Sequence, residues 1–288
     1  MTTTISEGAV SVVVGSDVFF NKVQTFNRDI TLLSIRAFDV VRKRAWKRDV
    51  PPRKLRILDA LSASGLRAMR FAKELREDEV HSVIANDISP AACGQIQQSI
   101  QLNNLSSTVT CINSDANLLM NLAGCGASPF SPIPLHVNPS PETLSIKKDT
   151  QSPDWDASFF DVIDLDPFGS ASPFIDSAIA AVRPGGMLCI TSTDQAVLSG
   201  QYTDKCLMKY QSLPMHISCC KESSVRSLLN SIAFAAAKKD CVIVPLLSLN
   251  VDFYDRVFVR VEKRGNPKSM ATRLVRTVFC NTCHTVLY

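Results

Sequence analysis

LRILDALSASGLRAMRFAKELREDEVHSVIAND, residues 55–87, contains one full period of the pattern that decides the fold. LRILDAL is a short apolar run closed by small residues, the mark of a strand buried on both faces. GLRAMRFAKELRE spaces its apolar residues three and four apart and reads as an amphipathic helix. SVIAND returns to a buried strand. The same period continues downstream. SPAACGQIQQSIQLNN reads as a helix with Ser89 as N-cap and Pro90 in its first position. TVTCINSD is a third strand and FFDVIDLD a fourth. A helix then runs to Pro184-Gly185-Gly186, and MLCITSTD is a fifth strand.

Upstream, an extended stretch, AVSVVVGSDVFFN, precedes a helix expected over residues 29–48, which Pro51 and Pro52 close. Residues 123–155 are rich in Ser, Pro and Gly without periodicity, and read as a loop insertion. Near the end, a helix over residues 222–238 leads into CVIVPLLSLNV and YDRVFVRVEK, close enough to pair as an antiparallel hairpin. Strands alternating with helices imply an α/β fold, a parallel sheet with helices on both faces. A reversed strand after five parallel ones narrows this to the Rossmann-like, seven-stranded class I methyltransferase sheet.

Composition sets the limits. The 288 residues are 45% hydrophobic and 20% charged, which is globular rather than disordered. A net charge of +4, from 31 basic against 27 acidic residues, permits nucleic-acid binding without demanding it. Arg42, Lys43, Arg44, Lys47, Arg48, Arg53, Lys54 and Arg56 form a basic run, read equally well as a solvated helix end or a phosphate-contacting patch. The start, MTTTISEGAV, lacks the features of a signal or transit peptide. Most of the ten cysteines sit singly in apolar runs, as buried hydrophobes do. No apolar run reaches the roughly 18 residues a membrane span needs. The expectation is a soluble intracellular protein, of nucleus or cytoplasm, with no membrane association and no obligate protein partner inferred.

Ligands of doubly wound sheets lie outside the carboxyl ends of the strands. Three strand ends here carry suitable residues in order. Asp59 to Gly65 turns sharply on small residues into a helix, but its single glycine fails as a dinucleotide fingerprint. That disfavours a pyrophosphate and leaves room for a cofactor without phosphate, such as S-adenosylmethionine. Asp87 ends the second strand, where a carboxylate can accept from both ribose hydroxyls. Asp115 follows the third strand, where adenine would sit.

Strand four ends in Asp166-Pro167-Phe168-Gly169. An exocyclic base amine is a poor nucleophile, its lone pair being delocalised into the ring. A carboxylate that accepts its N–H and turns the nitrogen toward a methyl donor supplies what the reaction lacks. The proline restricts the turn, and the aromatic ring can stack on a base taken out of its helix.

EGAV, VFFN, NRDI, DALSASGLRA, ANDISP, DLDPFGS, GGMLCITSTDQAVLSG, Lys209-Tyr210 and PLLSLNVDFYDRVFVRV together resemble the tRNA (guanine-26-N2)-dimethyltransferases over nearly the whole chain. The resemblance implies one and then a second methyl transfer from S-adenosylmethionine to guanine N2, with tRNA as partner. It implies that Arg28, Arg67, Asp87, Asp115 and Ala116 contact the cofactor. It implies that Asp166 holds the amine while Phe168 and Phe19 sandwich the base. Lys22 departs from the family's usual proline, and SCCKESSVR from its usual Cys-His-Glu segment. The implied domains are an N-terminal extension over 1–50, a methyltransferase domain over 51–265, and from 266–288 the start of a truncated C-terminal tRNA-binding domain. Cys280 and Cys283 resemble half of a zinc site in that domain; two of the four ligands are present, so zinc stays open and the site incomplete. Two readings stay open beside the main one: another nucleic-acid amino-methyltransferase, and a tRNA-binding homologue with weakened catalysis.

Overall fold

The computed structural model describes residues 2–15, 20–45, 53–126, 159–214 and 218–263, and two short strands at 278–279 and 286–287. An N-terminal hairpin of β1 (Thr2–Glu7) and β2 (Val10–Gly15) leads through a 3-10 turn to α1 (Thr25–Arg44). Alternating elements follow: β3 (Leu55–Asp59), α2 (Leu66–Glu74), β4 (Val80–Asp87), α3 (Pro90–Leu102), β5 (Val109–Asn113) and α4 (Ala116–Gly124). Then come β6 (Phe160–Leu165), α5 (Ser172–Ala181), β7 (Val182–Ser192), α6 (Gln195–Leu198), α7 (Thr203–Tyr210) and α8 (Cys220–Ala237). The hairpin of β8 (Cys241–Val251) and β9 (Tyr254–Lys263) completes the sheet.

The seven-stranded sheet runs β5-β4-β3-β6-β7-β9-β8, with β9 antiparallel to both of its neighbours. The chain starts at the centre, works to one edge, then returns and builds to the other. The reversal between β3 and β6 opens the crevice where such sheets bind ligands. All six residues of β6 are buried, as expected of a central strand covered on both faces. One apolar cluster joins α4, α5 and α8 to one face; the other joins α1, α2, α3 and β2 to the opposite face.

Local chemistry explains several boundaries. Ser89 accepts from the Ala92 amide at 3.3 Å, capping α3 with Pro90 in its first turn. Gly65 takes φ +75° at the entrance to α2, where an added Cβ would lie 3.0 Å from Ile96. One face of α3 closes the exposed edge of β2. Gln95 Oε1, Ser99 Oγ and Asn103 Oδ1 accept from the amides of Gly15, Val13 and Ser11 at 2.8, 3.0 and 3.0 Å. Spacing of four residues puts those side chains in a row along the helix, so they act as a substitute strand.

Several sequence expectations are corrected. The helix expected over 29–48 starts earlier, at Thr25, because Asn21 caps the preceding turn by accepting from Val23. The helix expected to reach Pro184-Gly185-Gly186 ends at Ala181. Those three residues belong to β7, where the register slips between Phe160 and Val162 and the extra residues bulge out. Gly186 is needed there, since a Cβ would lie 2.8 Å from the Asp161 carbonyl oxygen. The loop expected from 123 begins later, because α4 continues to Gly124. Strand β1 and helices α4, α6 and α7 were not anticipated. No helix among the described residues is long and apolar enough to cross a membrane.

Candidate active site

Strand β6 carries Asp164 near its end and presents Asp166 just beyond it. Arg67, in the first turn of α2, ion-pairs with Asp166 and lies 3.4 Å from Asp164 Oδ2. Arg256, from the reversed strand β9, is completely buried and ion-pairs with the other Asp164 oxygen. Arg256 also donates to Thr31 Oγ1 and Thr191 Oγ1, each at 2.8 Å. Asp59, at the end of β3, accepts from Ser62 Oγ at 2.5 Å. Charges taken out of water need partners, and two guanidiniums face this set of carboxylates, although Asp164 Oδ2, Asp59 Oδ1 and Arg256 Nε are buried without a hydrogen-bond partner.

The carboxylates titrate differently. Burial works against the charge on Asp166, but Arg67 and then Arg256 outweigh it and hold its carboxyl below the ordinary carboxylate range. Burial, followed by the neighbouring Asp164 charge, pushes Asp59 up to about 7. An ionised group and one that titrates near neutral pH thus sit in the same cluster.

The turn after Asp166 is pinned from behind. Gly169, at φ +75°, donates to Thr193 Oγ1 at 2.9 Å, and the Thr193 amide donates to the Gly169 carbonyl at 2.8 Å. The buried Tyr210 hydroxyl donates to Asp194 Oδ1 at 2.7 Å and lies 2.7 Å from Ser170 Oγ and 2.8 Å from Ser192 Oγ. Burial and then the Asp194 charge push the Tyr210 phenol up, so it stays a donor. On the outer side of this turn Phe168 is 73% exposed.

Along the same edge, Asp87 accepts from the amides of Ala63 and Ser89 at 2.8 and 2.9 Å, one on each oxygen. Asn86 donates to the carbonyls of Ala60 and Ser114 at 3.0 and 3.1 Å, joining three strand ends. Asp115 is exposed and caps α4 by accepting from Leu118, and Ala116 is the buried first residue of that helix. Arg28 is engaged elsewhere: it donates to Glu7 at 2.7 and 2.5 Å and lies 5.5 Å from the Phe20 ring.

Arg67 and Asp166, read from the sequence in separate roles, meet in one ion pair. Asp87, Asp115 and Ala116 line the ends of adjacent strands, and Arg28 belongs to a cluster with Glu7 and Arg70. Phe19, Cys280 and Cys283 lie outside the described residues. Among the described residues no group of His, Cys, Asp and Glu could hold a metal ion. Sequence reasoning missed Thr31, Asp164, Thr191 and Arg256. The only local signal for Arg256 is its place among Tyr254, Val257, Phe258 and Val259 in YDRVFVRVEK, read from the sequence as one strand of a hairpin.

A family model described as N2,N2-dimethylguanosine tRNA methyltransferase matches residues 2–133 and 145–287. The chain belongs to that family. Among the family's relatives, the tRNA (guanine(26)-N(2))-dimethyltransferase of Caenorhabditis elegans is 36% identical, covering 99% of this chain and 52% of its own length. The Schizosaccharomyces pombe enzyme of the same name is 33% identical, covering 93% of this chain and 50% of its own. The chain therefore spans about half the length of the curated relatives it matches. Trm1 from Pyrococcus horikoshii, solved in complex with S-adenosyl-L-methionine, aligns with a TM-score of 0.74 at 26% identity, over 99% of this chain and 68% of that one. Trm5b from Pyrococcus abyssi shares the fold, with a TM-score of 0.52 at 15% identity over 91% of this chain and 56% of its own.

Proposed function

We propose that this chain transfers methyl groups from S-adenosylmethionine to the exocyclic N2 of guanine 26 in tRNA, one and then a second. The observation that carries this reading is the ionised Asp166, held by Arg67 at the tip of β6 and followed by the exposed Phe168. The relatives' names support the substrate.

The strand ends fit the cofactor. Each Asp87 oxygen uses one lone pair on a backbone amide and keeps another for a ribose hydroxyl. Ala63 and Gly65, with φ of +47° and +75°, bring the backbone into a tight turn beside it. Asp115 caps α4 through one oxygen, and its carboxylate has acceptor capacity left for an adenine amine. The cofactor, when bound, supplies a methyl group on a sulfonium, whose C–S bond breaks with its electron pair staying on sulfur. In this reading Asp166 accepts from the guanine N2–H and turns the nitrogen lone pair toward that methyl group. As the N–C bond forms, the N2 proton passes to Asp166 and on to water. Because its carboxyl is held below the ordinary range, Asp166 is ionised and ready to accept at neutral pH. Phe168 offers a stacking face, worth roughly 1–3 kcal/mol per base. Arg28 orders the N-terminal segment through Glu7. Residues 51–265 form the methyltransferase unit and residues 1–50 its extension.

The test is incubation with S-adenosylmethionine and unmodified tRNA, followed by nucleoside mass spectrometry. Mono- and dimethylated guanosine are expected. Methyl groups on DNA adenine, with none on tRNA guanine, would overturn the reading.

A further inference from the structure

We propose that Arg256 is a positioning residue for the Asp166 carboxylate, acting through Asp164, Thr31 and Thr191 to keep the Arg67 guanidinium turned onto Asp166. The inference rests on the proposed function, in which Asp166 faces the substrate amine. Arg256 itself is completely buried, so it touches no substrate and acts on Asp166 through its charge and its contacts.

Geometry makes the case. Arg67 lies between two carboxylates, paired with Asp166 on one side and 3.4 Å from Asp164 Oδ2 on the other. Asp164 is fully buried, whereas the Asp166 side chain is 21% exposed and can draw on water. Left to compete alone, the drier carboxylate would win the guanidinium, because water cannot offset its charge. Arg256 removes that competition by pairing with Asp164 Oδ1. Two hydroxyls fix the arrangement. Thr31 Oγ1 accepts from Arg256 at 2.8 Å and from Arg67 at 3.5 Å, while donating to the Asn27 carbonyl at 2.6 Å. The spacing of the two guanidiniums is thereby tied to α1. Thr191 Oγ1 accepts from Arg256 at 2.8 Å and from Asn27 Nδ2 at 3.3 Å, tying the same group to β7.

The groups that face Asp166 come from five elements: Arg67 of α2, Asp164 of β6, Asp59 of β3, Thr191 of β7, and Arg256 with Tyr254 of β9. Losing Arg256 removes one positive charge from this set and draws the other toward Asp164. Both effects raise the Asp166 titration midpoint. Replacing Asp164 with asparagine removes the competing carboxylate and must lower the midpoint. A loss of packing alone cannot give opposite signs at one buried site.

The experiment follows the Asp166 carboxyl by NMR titration of the full chain labelled with 13C-aspartate, assigned with Asp166→Asn, alongside the pH profile of turnover on tRNA. Arg256→Gln is expected to raise the midpoint by about one unit or more, and to move the acid limb of kcat by the same amount. Affinity for S-adenosylmethionine should stay within about threefold, and Arg256→Lys should recover part of the shift. If Arg256→Gln does not fold, Asp164→Asn carries the test through its downward shift. An unchanged Asp166 midpoint in either folded variant overturns the proposal. A protein that never methylates tRNA, yet shows both midpoint shifts, supports the positioning role and overturns the proposed function instead.

Discussion

Asp166 and Asp87 are both strand-end aspartates, yet their partners assign them different work. Asp166 is met by a guanidinium and lies beside an exposed aromatic ring, while Asp87 is met by two backbone amides. Asp166→Ala should lower turnover about 10²–10⁴-fold with little change in cofactor affinity. Asp87→Ala should weaken cofactor binding by about 10–100-fold, the value of losing hydrogen bonds to a charged group, with a smaller effect on turnover at saturation. Steady-state kinetics and calorimetry separate the two; equal effects on both parameters in both variants would reassign the roles. Asp59 makes a prediction about stability. Its folded midpoint, about 7, lies above the unfolded value near 3.9. The folded state therefore holds a proton that the unfolded chain releases. Its contribution is complete below the unfolded midpoint and is lost as pH rises to 7, by at most about 1.4 kcal/mol per pH unit. In Asp59→Asn, urea denaturation between pH 4 and 7 should show a flatter decline than in the parent. Parallel curves would mean Asp59 is ionised throughout.

At the scale of elements, two helical glycines predict opposite outcomes for one substitution. Gly124 ends α4 against α5, and a Cβ there would lie 2.7 Å from the Ala180 carbonyl oxygen and 2.9 Å from its carbon. Neither atom can move without shifting α5, so Gly124→Ala should destabilise by about 1–3 kcal/mol despite alanine's better helix propensity. Gly94, inside α3, has nothing within 4 Å of an added Cβ. Gly94→Ala should stabilise by about 0.4–1 kcal/mol, through lower entropy of the unfolded chain. Chemical denaturation of both variants checks the pair, and the same sign in both would show that the α4–α5 approach is looser than the geometry requires.

For the whole molecule, charge is modest and partly spent. Within the basic run at 42–56, Arg42 and Lys43 pair with Asp39, and Arg53 lies 3.9 Å from Asp161. The run offers a phosphate backbone less free charge than its length suggests. Two or more phosphate contacts would still weaken tRNA binding roughly tenfold or more between about 50 and 200 mM salt. Affinity that stays flat over that range would count against a polyanionic substrate.

By itself the sequence determined the alternation of strands and helices, the reversed β9, the cap at Ser89 and the acidic tips at Asp87, Asp115 and Asp166. Each of those is written in a short window, as a period, a cap or a turn, and short-range sterics and burial enforce it. Helices α4 and α7 were missed, being short and without a long apolar stripe. Only the tertiary structure decided what Asp166 is. Its partner Arg67 stands 99 residues upstream, and the Arg256–Asp164 contact joins residues 92 apart. Ion pairs of that kind exist only once the sheet has closed and expelled water, because in solvent the same charges would be screened and independent.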